Sequence, residues 1–200
     1  MFEFRACDKG DCKIWTELNR AFMAEEIQDE GLWNNTDSAS DEEFQRTFEA
    51  GLATPERARF LLFFEDGAPV GFANLMIIFS VWSHGLALII DDLYLLPEHR
   101  GKGYGAKAMD FIENYARELG CKRLQFQSEL TNPGAMEFYK AVGYTPADMK
   151  FYVKYLGSVD DETNKGIAAM QAASRIAEEN VISNMTLEEI NAEIEAMRKI

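Results

Sequence analysis

Two hundred residues, 47% of them hydrophobic and 27% charged, are enough for one globular domain with a buried core and an appendage. The formal net charge of -14 argues against a nucleic-acid or anionic-membrane binder, because both need clustered Lys and Arg. It suits a cationic substrate drawn by the overall field, and equally a plain solubility role.

Phe2-Glu3-Phe4-Arg5-Ala6 alternates apolar and polar residues and predicts a short strand. Residues 11–30 predict a helix with Ile14, Leu18, Phe22 and Ile27 on one face. A loop rich in Asn, Asp, Ser and Thr follows, and Ser40 with Glu43 forms a capping box for a second helix carrying Phe44 and Phe48. Residues 59–64 and 70–81 predict two strands joined at Asp66-Gly67, a hairpin signal. Trp82-Ser83-His84-Gly85 marks the next turn, beside the place where the sheet is expected to open, and 86–96 the next strand.

The texture then changes. Residues 97–105 form a glycine-dense loop that opens a helix to Leu119, with Met109, Ile112, Ala116 and Leu119 at core spacing and Gly120 at the stop. Residues 123–128 alternate as a strand. Asn132 as cap and Pro133 in the first turn start a short helix that ends at Gly143. Met149, Phe151, Val153 and Tyr155 alternate with polar or basic neighbours in a last strand. Beyond Gly157 glycine and aromatics vanish; 161–180 predicts one helix, and Thr186 with Glu189 caps another whose Leu187, Ile190, Ile194 and Met197 form one apolar stripe. The expected division is therefore 1–157 and a helical extension, 158–200.

Three scattered cysteines, two histidines and no Cys-x-x-Cys pair give no zinc-ligand spacing, so no metal is expected. The N-terminus lacks the apolar core of a signal peptide, and 86–96 is too short to cross a bilayer and is interrupted by Asp91 and Asp92. A reducing, cytoplasmic setting is the expectation.

The chemical signal is the unit from Ile89 to Gly105. A glycine loop that opens a helix offers unpaired N–H groups and the positive end of the helix dipole, a fit for phosphate. Gly101, Gly103 and Gly105 are expected to let a ligand approach the backbone. The loop is not a P-loop, since no Gly-Lys-Ser/Thr follows, and the strands come in succession rather than in strand–helix repeats, against a Rossmann reading.

Arg100-Gly101-Lys102-Gly103-Tyr104-Gly105, with Asp92-Leu93-Tyr94-Leu95-x-Pro97 before it, resembles the Arg-x-x-Gly-x-Gly unit of GNAT-type N-acetyltransferases. Asn132-Pro133-Gly134-Ala135, Phe138-Tyr139 and Gly143-Tyr144 resemble that superfamily's next motif, with Tyr144 where Phe is usual. The resemblance covers about residues 1–156. It implies an α/β fold: a central mixed, mostly antiparallel sheet splayed in the middle, helices on both faces, and here a C-terminal α-helical extension. It implies acetyl-CoA as co-substrate. Arg100 through Gly105 and Ala106 would hold its pyrophosphate, backbone groups of Leu93, Tyr94 and Leu95 its pantetheine arm, and Asn132, Ala135 and Tyr139 would flank it.

Roles follow from that resemblance and from the chemistry. An amine with a pKa near 10.4 must lose a proton before it attacks a thioester. Asp91, nine positions before Arg100 as in polyamine-type acetyltransferases, is the candidate base or amine-binding group. Alternation should turn Asp91 and Asp92 to opposite faces, so that one of them reaches the site. A backbone N–H on Leu93, Tyr94 or Leu95 is the candidate oxyanion donor, and Tyr139 the general acid for the leaving thiolate. Glu26, with Glu25, Asp29 and Glu30, and the pair Trp82 and His84 are candidate acceptor contacts, although a solvated helix face and a surface turn also account for them.

The leading expectation is acetyl transfer to a primary amine of a small molecule, polyamine- or aminoglycoside-like. The alternatives are a peptide or protein N-acetyltransferase, and a non-catalytic acetyl-CoA-binding module. No nucleic-acid or membrane partner is expected, and the C-terminal stripe suggests a homodimer.

Overall fold

The apolar runs of the first half of the chain pair with one another in the order in which they occur. A computed structural model describes residues 1–26, 39–128, 132–150 and 152 of the chain. It divides into two units, Met1–Ala147 and Asp148–Ile200, and nearly all of the second lies outside the described residues.

The first unit runs β1 (Phe2–Ala6), a short 3-10 turn (Lys9–Asp11), α1 (Cys12–Glu26), α2 (Asp41–Ala53), β2 (Ala58–Glu65), β3 (Ala68–Ser80), β4 (Gly85–Leu95), a second 3-10 turn (Pro97–His99), α3 (Tyr104–Glu118), β5 (Arg123–Phe126) and α4 (Pro133–Ala141). The sheet order is β1-β2-β3-β4-β5. The first three pairings are antiparallel and β4 with β5 is parallel, the mixed, mostly antiparallel sheet expected.

The caps read from sequence form as written. Ser40 accepts from the Glu43 N–H while Glu43 accepts from the Ser40 N–H, and Asn132 accepts from the Ala135 N–H. Asp66 and Gly67 take positive φ at the β2–β3 turn. The helix predicted from 11 begins at Cys12, because Asp11 belongs to the preceding turn. Its carboxylate receives both Arg5 terminal nitrogens at 2.5 and 2.7 Å, tying β1 to the start of α1.

Two predictions are corrected. The strand expected over 123–128 stops at Phe126. Met149, Lys150 and Tyr152 carry no strand; the rest of that predicted strand, the predicted boundary at 157 and both C-terminal helices lie outside the described residues.

Helices cover both faces. On one, Trp15 and Leu18 of α1 and Phe44 and Phe48 of α2 meet Phe60, Leu62, Phe72 and Tyr94. On the other, Ala108, Met109, Ile112 and Ala116 of α3 meet Leu61, Phe63, Ala73, Leu75, Leu88 and Ile90, with Phe138 and Tyr139 of α4 packed alongside. Each such fully buried large side chain stabilises the fold by roughly 1.5–3 kcal/mol.

Gly71 shows how closely β3 and β4 approach. It sits opposite Leu95, and a Cβ there would lie 2.3 Å from the Tyr94 carbonyl oxygen and 2.9 Å from Leu95 Cδ2. Backbone cannot swing aside as a side-chain tip can. Gly71→Ala is expected to cost about 1–3 kcal/mol, read as a lower urea midpoint. An unchanged midpoint would show that β4 yields at that point.

Candidate active site

The sheet opens because β5 ends early and β4 does not. Parallel pairing joins Ala87 to Arg123 and continues to Ile90 opposite Phe126, then stops. β4 continues through Leu95 on its other edge, against β3. From Asp91 onward, among the described residues, one edge of β4 faces no strand.

Asp91 marks this fork. Asn74 is paired with Asp92 and Leu75 with Ile90, so Asp91 is the extra residue of a β-bulge. The bulge reverses the alternation. Leu88 and Ile90 face α3 before it, whereas Leu93 and Leu95 do so after it. Tyr94 and Asp92 consequently share the α1 face with Asn74. Asp91 itself is exposed to solvent, yet desolvation by the surrounding protein raises its carboxyl above the ordinary range.

Asp92 has a different setting. Its Oδ2 accepts from Asn74 Nδ2 at 2.7 Å. The same Asn74 nitrogen donates to Asn19 Oδ1 at 2.9 Å, and Asn74 Oδ1 accepts from Trp15 Nε1 at 2.8 Å. Asn19 Nδ2 donates to the Trp15 carbonyl at 2.7 Å. Trp15, Asn19 and Asn74 are buried, so this network fixes α1 against β3 and β4 directly beside the bulge.

Across the fork, the Tyr139 ring lies 4.2 Å from that of Phe126, whose strand partner Ile90 immediately precedes Asp91. Burial raises the Tyr139 hydroxyl, which therefore keeps its proton at neutral pH. Tyr144 also packs on Phe126, at 4.9 Å, and donates to Glu113 at 2.9 Å, a bond that the usual Phe would not make.

The glycine loop lies just beyond β4. Gly101 and Gly103 have φ of +73° and +78°, and a Cβ on either would meet nothing within 4 Å. They satisfy the backbone and leave room for a ligand. Gly105 also makes room on its other side: a Cβ there would lie 3.1 Å from Phe138 Cζ of α4. The first ladder bond of α3 runs from the Lys107 N–H to the Gly103 carbonyl. The amides of Tyr104, Gly105 and Ala106 precede that ladder, at the positive end of the helix. This open, amide-lined turn fits a diphosphate.

The loop's side chains point elsewhere. Arg100 donates to both carboxylate oxygens of Glu25 in α1, at 2.6 and 2.8 Å. Glu65, at the end of β2, accepts from the Tyr104 hydroxyl, meets His99 Nδ1 at 2.6 Å and lies 3.4 Å from Lys102 Nζ. Tyr104 also stacks on Phe2, with ring centroids 4.0 Å apart. Neither carboxylate partner has a sequence signal, since they lie 75, 39, 37 and 34 residues from the groups they hold.

Other predicted residues fare unevenly. Asn132 Oδ1 is occupied as the cap of α4, accepting from Ala135 at 3.0 Å, and Ala135 sits in the first turn it caps. Glu26 closes α1, and its side chain lies outside the described residues, as do Asp29 and Glu30. Trp82 and His84 are not beside the fork. They occupy the turn that precedes Gly85, six residues and roughly 20 Å along β4 from Asp91. Trp82 is 92% exposed there, on a hairpin tip whose Phe79 and Val81 are also exposed.

Burial raises the Cys121 thiol and pushes Cys7 up to about 12, so neither offers a thiolate nucleophile at neutral pH. Among the described residues no group of three His, Cys, Asp or Glu could hold a metal ion, and no helix is long and apolar enough to cross a membrane.

A model of the acetyltransferase (GNAT) family matches residues 15–144. The thialysine N-epsilon-acetyltransferase of Bos taurus is 34% identical over 74 residues, which are 37% of this chain and 43% of that enzyme. The chain thus spans less than half of that relative's length. The aminoglycoside N(6')-acetyltransferase type 1 of Serratia marcescens is 24% identical over 76% of this chain and 97% of its own. Among solved structures, an aminoglycoside N-acetyltransferase in complex with CoA superposes with a TM-score of 0.62 at 15% identity, covering 78% of this chain and 96% of that one, a likeness of fold.

The Glu65 cluster has a pH signature. Its hydrogen bond from Tyr104, with those from His99 and Lys102, lowers the carboxyl from 4.5 to about 2. A depressed folded-state pKa stabilises the fold above the unfolded value, and that contribution fades as pH falls from about 4.5 to 2. Glu65→Gln should therefore be less stable than wild type at pH 7, with the difference in urea midpoint shrinking below pH 4.5. A difference that is constant with pH would show that the carboxylate's charge is not what holds the loop.

Proposed function

This chain belongs to the acetyltransferase (GNAT) family, and from that premise we propose that it transfers an acetyl group from acetyl-CoA to a primary amine of a small, cationic molecule. One observation carries the reading: the bulged Asp91 and the half-buried Tyr139 lie on the two sides of a fork that opens toward an amide-lined glycine turn. The names of the relatives support the acceptor class, since they are enzymes of thialysine and of aminoglycosides. The chain's net charge of -14 favours a cation.

Acetyl-CoA supplies a thioester carbonyl carbon to which the amine nitrogen bonds as the carbon–sulfur bond breaks. The amides around Gly101 and Gly103 and in the first turn of α3 hold its diphosphate. Asp91, with its affinity for a proton raised by desolvation, binds the incoming ammonium and takes its proton, directly or through water. An N–H on the open edge of Leu93, Tyr94 or Leu95 stabilises the negative charge that develops on the carbonyl oxygen. Tyr139, protonated and half-buried, returns a proton to the leaving sulfur. Transfer is direct and needs no covalent enzyme nucleophile. A homodimer remains part of this proposal, and the exposed apolar tip at Phe79, Val81 and Trp82 adds to its support.

The test is a panel of polyamines, aminoglycosides and a free peptide N-terminus, with released CoA thiol as the readout. Turnover is expected on small amines. Turnover confined to the peptide would make the chain a peptide N-acetyltransferase, and saturable acetyl-CoA binding without turnover on any acceptor would make it a binding module. Asp91→Asn should lower kcat/KM by about 10²–10⁴-fold and remove an acid limb whose pKa lies above the ordinary aspartate range. Tyr139→Phe should lower kcat while calorimetric affinity for acetyl-CoA barely changes; unchanged kcat would remove Tyr139 from the proton path.

A further inference from the structure

Arg100 heads the glycine loop, the place where a cation would ordinarily be assigned to the diphosphate, yet its guanidinium is engaged with protein. Both terminal nitrogens donate to Glu25, at 2.6 and 2.8 Å, and Nε donates to the Leu95 carbonyl at 2.8 Å. The guanidinium carbon lies 5.3 Å from the centroid of the Tyr94 ring. A planar fork held by two carboxylate oxygens and a carbonyl has its orientation fixed, unlike a single flexible ammonium. Glu25 matches this from its side. Its carboxyl is held below the ordinary range, chiefly by Arg100 and further by the Tyr94 hydroxyl.

We propose that Arg100 is a positioning residue, anchored by Glu25, and not a ligand of the diphosphate. The pair holds the last turn of α1, the end of β4 and the glycine loop as one piece, so that the amides beyond Arg100 stay aimed at the phosphates. This rests on the reading that the loop holds acetyl-CoA, and it fixes a division of labour within it: backbone binds, side chains brace. Lys102, 3.4 Å from Glu65, belongs to the bracing set.

The proposal predicts an effect opposite to simple electrostatics. Removing the negative charge of Glu25 makes the loop more positive, and Coulomb attraction alone would tighten the hold on a polyanion. Both partners are about two-fifths exposed, so solvent and salt screen that gain. Loss of a two-bond clamp acts on every amide of the loop at once. Weaker acetyl-CoA binding should therefore win.

The experiment is calorimetric titration of acetyl-CoA into the full chain and into the variants Glu25→Gln, Arg100→Gln, Arg100→Lys and the double Glu25→Gln/Arg100→Gln, with kcat measured at saturating acetyl-CoA. Each single variant should bind about fivefold more weakly, the double no more weakly than either single, and kcat should stay near wild type. Arg100→Lys keeps the charge and loses the fork, so it should behave like Arg100→Gln. If Glu25→Gln binds as tightly as wild type or more tightly while Arg100→Gln binds weakly, or if Arg100→Lys retains full affinity, Arg100 is a phosphate ligand and the proposal is overturned. No saturable binding by the wild-type chain would overturn the acetyl-CoA reading itself, a result distinct from tight wild-type binding with an indifferent Glu25.

Discussion

One surplus residue in β4 decides where chemistry can happen. In a regular strand, Asp92 would follow Leu88 and Ile90 onto the face packed by Met109 and Ile112, and a carboxylate would be buried against hydrocarbon. An unpaired buried charge costs several kcal/mol, far more than a local break in a ladder. Inserting Asp91 as a bulge removes the conflict. Asp92 then meets the Asn74 amide, Leu93 and Leu95 take the core positions, and Asp91 is left facing solvent at the point where β5 ends. The adjacent carboxylates that complicate the strand are thus sorted by the same kink into one held by Asn74 and one open to solvent.

α1 secures this arrangement at two points. Trp15 and Asn19 bond to Asn74 beside the bulge, and Glu25 bonds to Arg100 at the loop. Ten residues of helix, about 15 Å, separate Trp15 from Glu25. One rigid element therefore sets the spacing between the fork, where an amine would be deprotonated, and the turn, where a diphosphate would sit. Near-attack geometry depends on such spacing more than on any single contact.

What the sequence revealed was local. Ser40 with Glu43, Asn132 with Pro133 and Asp66 with Gly67 announced caps and a turn because their partners lie within three residues, and each formed. The glycine loop and the short helix that carries Tyr139 were legible for the same reason, as short motifs on identifiable elements. Alternation predicted opposite faces for Asp91 and Asp92, but no period shows the bulge that breaks that alternation, so it could not say which of them would be tied down. Trp82 and His84 looked close to the fork only because a turn adjoins a strand in sequence; the length of β4 carries them to its far end. That Gly105 also makes room for Phe138, thirty-three positions on, was invisible in the sequence. The carboxylate partners of Arg100, Lys102 and Tyr104 come from other strands and helices, and sequence gives no register between elements.

The charge balance joins these pieces. A chain of net charge -14 repels a polyanionic cofactor at long range, and would attract a cationic acceptor. At about 8 Å of screening in physiological salt, the cofactor feels chiefly the turn that holds it. There, Arg100 and Lys102 face Glu25 and Glu65, and amide dipoles at the start of α3 offer a diphosphate a directed attraction. Amides fixed in a turn recognise a phosphate by geometry.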